Sequence, residues 1–475
     1  MNSALDSATP PAPRSQAEGA VRSPEDHALL IAALRDPRCY PHPVSRIEVI
    51  ETHISSVLLT GEYAYKVKKP VNLGFLDFTT LDARRRYCED ELRLNRRTAP
   101  GLYLDVVAIA GTRDSPAVAG AGPAVEYAVR MRQFPPGDTL DHVLRRHALA
   151  AAQIDALAAA VAAFHGTIAV AAPATEWGNP EVVRAEALEN FEHIERLAPA
   201  AGARARAADL RAWTEGEFMR LRAVFTQRKA DGRVRECHGD LHLGNVALVE
   251  GMPVMFDCIE FNDSFRWIDV MSEVAFTVMD LIDHREPGFA FRFLNDYLEA
   301  TGDYPGIAVL RFYLVQRAMV RAKIAMIRMR QPDQSVRSLR DATEAFNEYL
   351  RLAESLAKRP APALVITCGL SGSGKTTAAQ TLLETIGAVR LRSDVERKRL
   401  HGLAAAARTD SAAGAGIYGS EATRATYERL AVLARAMLPS GFPVIVDATF
   451  LRHSERQTLR EVAHAAGAGF VILAC

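Results

Sequence analysis

The octapeptide "GLSGSGKT", residues 369–376, constrains the fold of this chain more than any other segment. It satisfies the pattern G-x-x-x-x-G-K-[ST], follows the apolar run "ALVITC" and precedes the helix-forming run "TAAQTLLET". A glycine-rich loop between a strand and a helix exposes successive backbone N–H groups and a helix N-terminus, which together bind anions. The segment therefore predicts a phosphate-binding loop in a parallel α/β sheet.

This loop implies ATP and Mg²⁺ as cofactors, with the lysine bridging the outer phosphates and the threonine hydroxyl on the metal. Two apolar runs that follow, "AVRLRSD" and "PVIVDAT", are predicted strands of the same sheet, and the second ends in an aspartate suited to the metal. The predicted nucleotide and metal ligands are Gly369, Gly372, Gly374, Lys375, Thr376, Thr377 and Asp447.

The segment "LRSDVERKRL" adds a carboxylate near this loop. A predicted strand ends at Asp394, which opens a helix, and Arg397 lies one turn later on the same face. Such a carboxylate suits a general base for a hydroxyl substrate, and such an arginine suits a clamp on a substrate phosphate. A helix N-cap aspartate beside a solvent-facing arginine gives the same pattern, so both interpretations stay open.

A second constellation lies upstream in "HGDLHLGN", residues 238–245, and in the "VALVEGMPVMFD" that follows. Two short strands are predicted to form a hairpin with its tip at Gly251, which pairs position 246 with 256 and brings Asn245 beside Asp257. Amide and carboxylate oxygens are ligands that Mg²⁺ prefers. Asp240 precedes the first strand, where it could accept a proton from a hydroxyl, although turn capping would explain each carboxylate taken singly.

These motifs resemble the aminoglycoside phosphotransferase family, whose members are relatives of protein kinases. The resemblance, over about residues 26–350, implies that Asp240 is the catalytic aspartate and that Asn245 and Asp257 hold the metal. It also implies that Asp269, in the helix after the metal site, braces the catalytic loop. The expected acceptor is a small molecule with a hydroxyl group.

Kinase-like sites also need a strand lysine on the nucleotide phosphates and a helix glutamate that holds it. The strand "YAYKVKK" offers Lys66 and Lys68, which face the same side, and Lys66 is preferred. The helical stretch "CEDELRLN" offers Glu91 as the partner, with Glu89 as the runner-up.

The C-terminal motifs resemble small P-loop kinases of the polynucleotide kinase, gluconate kinase and zeta-toxin group. This resemblance implies that Asp394 activates a hydroxyl and that Arg397 contacts the substrate. Kinases of this group continue through a lid, whereas this sequence ends at "GFVILAC" within a predicted strand. We therefore expect a nucleotide-binding domain that is truncated at its C-terminus.

The order of patterns predicts the domains. Strands near the N-terminus, with a turn at Thr60–Gly61, precede a mainly helical region, and the proline-rich "AKRPAPA" separates both from the strand–loop–helix pattern. The predicted fold class is an α+β bilobal protein-kinase-like domain followed by an α/β P-loop NTPase domain with a parallel sheet. The predicted bounds are a disordered tail 1–25, a kinase-like domain 26–356, a linker 357–362 and a P-loop kinase domain 363–475.

Composition narrows the partners. Lys plus Arg and Asp plus Glu each number 57, so a net charge of zero argues against nucleic acid or an anionic membrane as the main partner. The 6 cysteines contain no C-x-x-C pair, which is typical of reduced thiols in the cytoplasm. The most apolar run is broken by His165 and Gly166, and the N-terminus lacks the apolar core of a signal peptide.

The sequence therefore predicts a cytoplasmic, ATP-dependent phosphotransferase with two nucleotide sites that acts on an alcohol group. One alternative is an ATP-binding regulator without transferase activity. Another is a kinase of 5′-hydroxyl nucleic-acid ends in the C-terminal half, suggested by a cluster of basic residues: Arg390, Arg392, Arg397, Lys398 and Arg399.

Overall fold

The computed structural model describes residues 20–74, 76–197, 201–330, 335–405, 407 and 416–475. Of the predicted tail, residues 1–19 lie outside the described residues. The chain divides into two compact units, the first running to Pro135 and including Glu260–Asn262, and the second containing residues 136–259 and 263–475.

The first unit is built on a six-stranded antiparallel sheet. Its elements are α1 (Pro24–Ala33), β1 (Glu48–Glu51), β2 (Ser55–Leu59), β3 (Tyr63–Lys68), α2 (Leu81–Asn95), β4 (Tyr103–Gly111), β5 (Pro116–Val118) and β6 (Ala124–Arg132). The strand order is β1-β2-β3-β6-β4-β5. The predicted turn at Thr60–Gly61 is confirmed, because it joins β2 to β3 and Gly61 adopts a φ of 101° that favours glycine.

A buried ion pair fixes α2 on this sheet. Arg84 of α2 and Glu126 of β6 are both fully buried, and their Nε and Oε2 atoms lie 2.8 Å apart. The Arg84 guanidinium also donates to the carbonyl oxygens of Phe78 and Val21. Since a buried ion pair is tolerated only when its hydrogen bonds are satisfied, this arrangement sets the position of α2 over β6 and β4.

The larger part of the second unit is helical. Its elements before residue 358 are α3 (Leu140–Arg145), α4 (Ala151–Thr167), α5 (Pro180–Leu197), α6 (Ala201–Ala230), β7 (Val234–Glu236), β8 (Val246–Val249), β9 (Met252–Met255), α7 (Asp263–Arg266), β10 (Trp267–Asp269), α8 (Val270–Asp283), α9 (Pro287–Thr301), α10 (Ile307–Met329) and α11 (Val336–Ala357). Helix α8 is buried along almost its whole length, so its polar side chains must find partners inside the protein.

The remainder of the second unit is a parallel sheet with flanking helices. Its elements are β11 (Ala363–Cys368), α12 (Lys375–Ile386), β12 (Val389–Arg392), α13 (Ser393–Leu400), α14 (Ser420–Met437), β13 (Val444–Asp447), α15 (His453–Ala465) and β14 (Gly469–Ala474). The strand order is β12-β13-β11-β14, and all pairings are parallel. An antiparallel N-terminal sheet followed by helices and then by a parallel sheet confirms the predicted order of α+β and α/β structure.

Parallel pairing places the C-terminal ends of these strands at one edge of the sheet. Ile366 of β11 lies opposite Val446 of β13, and Arg392 of β12 lies opposite Asp447 of β13. The loop after β11, the residues after Arg392 and the Asp447 side chain therefore meet at this edge, where ligands bind in open α/β sheets. Among the described residues, no helix combines the length and the apolar character that a membrane span needs.

Candidate functional site

In the first unit, Lys66, Lys68 and Glu91 form a buried charged cluster. Lys66 and Lys68 alternate along β3 and share one face of the sheet, while Glu91 lies on α2. The Lys66 Nζ lies 2.8 Å from Glu91 Oε1, and the Lys68 Nζ lies 2.7 Å from Glu91 Oε2. Burial alone would raise the pKa of Glu91, but the two ammonium groups lower it to about 2.

The two lysines differ in their surroundings. The Lys68 side chain is fully buried, and it forms a second ion pair with Glu260. Burial lowers the pKa of Lys68, but the Glu260 and Glu91 carboxylates more than reverse this and raise it. The Lys66 side chain retains 10% exposure, whereas Glu89 lies on the outer face of α2 and pairs with Arg85 at 2.9 Å. These surroundings favour Lys66 and Glu91 for the phosphate-binding pair, a role that stays a prediction.

In the second unit, the loop 238–245 connects β7 to β8. His238 is buried, and burial lowers the pKa of its imidazole, so that the neutral ring donates from Nε2 to the Phe256 carbonyl oxygen at 2.8 Å. Gly239 has a φ of 90°, and a Cβ at this position would lie 2.7 Å from the Phe265 carbonyl oxygen. The loop therefore needs glycine at position 239 for its conformation and for its close approach to the backbone.

Asp240 and Asn245 meet at the end of this loop. The Asn245 Nδ2 donates to the Asp240 backbone oxygen at 2.9 Å and to its carboxylate Oδ2 at 3.1 Å. The Asp240 side chain is 37% exposed, and His242 Nε2 lies 3.5 Å from its Oδ2. Burial would raise the pKa of Asp240, but His242 and Arg321 lower it below its ordinary value. This aspartate is thus a partly accessible carboxylate at neutral pH.

The hairpin after this loop corrects one sequence prediction. Position 246 pairs with Met255, not with position 256, because the tip is a two-residue turn at Glu250–Gly251 with φ values of 52° and 80°. Asn245 consequently lies beside Phe256, whose N–H donates to the Asn245 carbonyl oxygen at 3.0 Å, and Asp257 follows with a φ of 64°. Asn245 and Asp257 still lie at the same end of the hairpin.

Three side chains of α8 hold the backbone of the same loop. Glu273 Oε2 accepts from the Gly239 N–H at 2.7 Å, the Thr277 hydroxyl donates to the Leu241 carbonyl oxygen at 2.8 Å, and Asp280 Oδ2 accepts from the Leu243 N–H at 2.8 Å. The sequence analysis missed these residues. The signal was present, because Glu273, Thr277 and Asp280 are polar residues spaced by four and three positions in a mostly apolar helix.

The hydrogen bonds of Asp269, expected to brace this loop, go elsewhere. The Asp269 carboxylate binds Arg228 at 2.6 and 2.7 Å and caps α8 by accepting from the Met271 N–H. The brace is Glu273 instead, whose Oε1 lies 2.9 Å from His165 Nε2. Burial would raise the pKa of Glu273, but hydrogen bonding to His165 and its charge lower it to about 2.

In the C-terminal part of the second unit, the loop after β11 has the conformation of a phosphate cradle. Gly372 and Gly374 have φ values of 82° and 86°, and a Cβ on either would meet nothing within 4 Å. Gly369 is different, because a Cβ there would clash with the Cys475 carbonyl oxygen and lie 2.8 Å from the Ser373 hydroxyl oxygen. The loop is thus strained for residues other than glycine but open on its outer side, as a phosphate group requires.

The functional groups of this loop lie against β13. The Lys375 Nζ contacts the Leu370 carbonyl oxygen within the loop and lies 3.4 Å from the Ser373 hydroxyl oxygen. The Thr376 hydroxyl donates to Asp447 Oδ2 at 2.8 Å. An ammonium group inside the loop and a hydroxyl beside a carboxylate are the donor set that a nucleotide with Mg²⁺ needs. Thr377 is exposed in the first turn of α12.

Asp394 and Arg397 meet at the ring of Tyr418. Asp394 Oδ1 accepts from the Tyr418 hydroxyl at 3.1 Å, and its Oδ2 lies 2.7 Å from the Lys398 Nζ. The Arg397 guanidinium stacks on the Tyr418 ring, 5.2 Å from its centre, and donates to the Thr423 hydroxyl at 3.0 Å. Arg397 is buried, not solvent-facing as the capping alternative required, and the Asp394 side chain is 45% exposed.

The basic cluster in this segment is engaged by the protein itself. Arg390 and Arg392 both bind Glu299, Lys398 binds Asp394, and Arg399 pairs with Glu396. With Arg397 bound to Thr423 as well, these five cations do not form an open patch for a nucleic-acid backbone.

Comparison with protein families assigns the two parts of the chain. Residues 80–313 match the "Phosphotransferase enzyme family", and this range includes Glu91, Asp240, Asn245 and Asp257. Residues 364–475 match an "AAA domain", and this range includes the whole glycine-rich loop.

Similar proteins occur in mycobacteria. An uncharacterized protein of Mycobacterium tuberculosis is 28% identical over 453 residues, which cover 90% of this chain and 84% of the relative. An uncharacterized protein of Mycobacterium bovis matches with the same identity and coverage.

Two solved kinase structures match part of the chain. The match to the structure of an amicoumacin kinase with AMP-PNP, Ca²⁺ and its ligand covers 70% of this chain and 94% of the kinase chain. The sequence identity is 15% and the TM-score is 0.43. The match to the structure of the choline kinase of Streptococcus pneumoniae covers 66% of this chain and 94% of the kinase chain, with 14% identity and a TM-score of 0.39. The chain thus carries a domain of the phosphotransferase enzyme family over residues 80–313 and an AAA-type P-loop domain over residues 364–475, and it is homologous to uncharacterized mycobacterial proteins.

Proposed function

We propose that this chain is an ATP-dependent phosphotransferase with two nucleotide sites, each of which transfers the γ-phosphate to a hydroxyl group of a small molecule. The first site would belong to a kinase-like domain, residues 26–356, and the second to a P-loop kinase domain, residues 363–475. The observation that carries the proposal is the presence of two separate sets of acidic and amide oxygens, Asp240, Asn245 and Asp257 in one and Asp394 and Asp447 in the other. The pattern of kinase-like sites adds Lys66 to the first set, and the glycine-rich loop adds Lys375 to the second.

At the first site, Asp240 has the accessibility and ionisation of a group that accepts a hydrogen bond from an acceptor hydroxyl and orients it. The Asn245 amide nitrogen is occupied by Asp240, which leaves the amide oxygen as its metal-binding atom. Together with the Asp257 carboxylate, this oxygen would hold Mg²⁺, and the metal would neutralise charge on the transferring phosphate. The protein's main task in such a reaction is positioning, which the bonds from α8 to the loop 238–245 support.

At the second site, Lys375 and the N-terminus of α12 would bind the outer phosphates of ATP. Thr376 and Asp447 would hold Mg²⁺ between them, since their oxygens already lie 2.8 Å apart. Asp394 would accept the proton of the second acceptor. Arg397, through its bond to Thr423 and its stacking on Tyr418, stands beside Asp394 and would contact the acceptor.

A transfer assay tests this proposal. The full chain is incubated with γ-labelled ATP and Mg²⁺ against pooled small hydroxyl compounds, amino sugars and oligonucleotides. We expect labelled small molecules, with one set lost in Asp240→Asn and another lost in Lys375→Ala. Loss of about a hundredfold to ten-thousandfold in rate is the scale for removing a catalytic group of this kind.

The alternatives give different results in the same assay. An ATP-binding regulator would retain nucleotide while labelling no compound in any pool. A kinase of nucleic-acid ends would label oligonucleotides in a manner that depends on Lys375 alone. The engagement of the basic cluster by Glu299, Asp394, Glu396 and Thr423 speaks against the second outcome.

A further inference from the structure

Helix α9 packs against elements of both parts of the second unit. It packs against α4 and α8 of the helical part and against α12 and β12 of the P-loop part. Asn295 and Glu299 are four residues apart and share one face of the helix, whereas Tyr297 points to the other side. All three side chains are buried.

Towards the P-loop part, Asn295 completes the edge of the parallel sheet. Strand β12 lies at the edge, where backbone groups would otherwise lack partners. The Asn295 Nδ2 donates to the Ala388 carbonyl oxygen at 2.9 Å, and its Oδ1 accepts from the Arg390 N–H at 2.6 Å. The Asn295 side chain thus makes the hydrogen bonds that a neighbouring strand would make, and it fixes the position of β12 along α9.

Glu299 binds the two arginines of the same strand. Its Oε1 accepts from Arg390 Nη2 at 2.8 Å, and its Oε2 accepts from Arg392 Nη1 at 3.1 Å. Arg390 also donates to Gln380 on α12, the helix that begins at Lys375. Charge-assisted hydrogen bonds in a buried setting are strong and directional. Glu299 therefore fixes the position of β12, the strand that leads to Asp394, and through Arg390 the position of α12, the helix that follows the phosphate loop.

The contact between α9 and α12 leaves no room for adjustment at one point. Gly387 ends α12 with a φ of 67°, and a Cβ there would lie 2.7 Å from the ring of Phe291 on α9. The C-terminal end of α12 is thus closely packed on α9.

Towards the helical part, Tyr297 reaches the loop of Asp240 through two side chains. The Tyr297 hydroxyl lies 2.9 Å from His165 Nδ1, and His165 Nε2 lies 2.9 Å from Glu273 Oε1. The other oxygen of Glu273 accepts from the Gly239 N–H at 2.7 Å, one residue before Asp240. A continuous series of buried hydrogen bonds thus runs from α9 to the first site.

We propose that α9 couples the two nucleotide sites, with Glu299 and Tyr297 as positioning residues on its two sides. Nucleotide bound at the Lys375 site changes the nucleotide affinity of the Asp240 site, and by thermodynamic linkage the reverse effect has the same size. This inference rests on the proposed function, since it requires that both sites bind nucleotide.

The test is calorimetric titration of the full chain with a non-hydrolysable ATP analogue and Mg²⁺. Lys375→Ala and Lys66→Ala each leave one nucleotide site, and each variant gives one association constant. The product of these two constants is compared with the product of the two stepwise association constants of the unmodified chain. The ratio of the two products is the coupling factor. We expect these products to differ by about fivefold or more, which is the usual lower range for coupled sites. In the Glu299→Gln and Tyr297→Phe variants the coupling factor should fall to about one, while both sites still bind the ATP analogue.

A control removes a more exposed ion pair elsewhere. Glu354 of α11 binds Arg206 of α6 through both oxygens, at 2.5 and 2.9 Å, and lies outside the contacts of α9. Glu354→Gln should leave the coupling factor unchanged. If Glu299→Gln does not fold, Arg392→Gln replaces it as the variant that breaks the contact between α9 and β12. Two sites with a factor of one in the unmodified chain would overturn the coupling alone, whereas a single bound analogue would overturn the proposed function with it.

Discussion

The two loops that carry the candidate chemistry of the second unit are held in different ways. The loop 238–245 depends on side chains of another element, because Glu273, Thr277 and Asp280 of α8 bind its backbone. The loop 369–374 depends mainly on its own glycines and on the helix that follows it. Position-specific glycines are visible in a sequence, whereas support from a distant helix is visible only in the fold.

The largest expected effect contrasts one glycine of each loop. Gly239→Ala adds a Cβ that meets backbone atoms at 2.7 Å at a φ of 90°, whereas Gly372→Ala adds one with no neighbour within 4 Å at a φ of 82°. Conformational strain alone costs about 1–2 kcal/mol in both cases, and the clash adds to it only at Gly239. We expect a clearly larger decrease in the thermal unfolding midpoint for Gly239→Ala. Equal decreases would show that the first loop is not confined by its surroundings.

The second prediction concerns pH and the brace of the first loop. The pKa of Glu273 is about 2 in the folded protein and returns to its ordinary value of 4.5 on unfolding. A lowered pKa means that the stabilisation is complete above pH 4.5 and is lost as the pH falls towards 2. In Glu273→Gln this loss disappears, so the free energy of unfolding should depend less steeply on pH between about 4.5 and 3, as urea titrations can measure. An unchanged slope would contradict the assignment of Glu273 as the buried charged brace.

The third prediction compares two threonines, one that supports the first loop and one that lies in the second nucleotide site. Thr277→Val removes the donor of the buried Leu241 carbonyl oxygen, which should cost about 1–3 kcal/mol of stability and leave nucleotide binding at Lys375 intact. Thr376→Val removes the hydroxyl beside Asp447 at an exposed position, so stability should change little while Mg²⁺-dependent nucleotide binding weakens. Unfolding and analogue binding are measured for both variants. The comparison fails if Thr376→Val is the more destabilising change.

The smallest expected effect comes from the outer face of α2. Glu89→Gln removes an exposed ion pair with Arg85, which is worth less than about 0.5 kcal/mol. Glu91→Gln removes a fully buried partner of two lysines and should be much more destabilising. If both variants unfold at the same temperature, the choice of Glu91 over Glu89 loses its basis.

The order of the fold was predictable because its signals are local. The phosphate-loop pattern, its flanking apolar runs and the turn at Gly61 each lie within a few residues of one another, and each is present in the structure. The hairpin register was wrong by one residue because the sequence does not show whether Gly251 forms the tip alone or together with Glu250.

The support of the sites was not predictable in the same way. Glu273 and Gly239 are 34 residues apart, and Glu299 and Arg390 are 91 apart, so only tertiary packing shows that they meet. Asp269 lies four residues before Glu273 in the chain, one turn of helix away, and its carboxylate instead binds Arg228. A motif can thus indicate that a brace exists without indicating which residue provides it.

The most direct test of the central claim is the stoichiometry of nucleotide binding. Equilibrium binding of a non-hydrolysable ATP analogue with Mg²⁺ to the full chain should give about two moles per mole, and Lys66→Ala and Lys375→Ala should each reduce this to about one. A value of one that neither substitution changes would contradict the account of two separate sites.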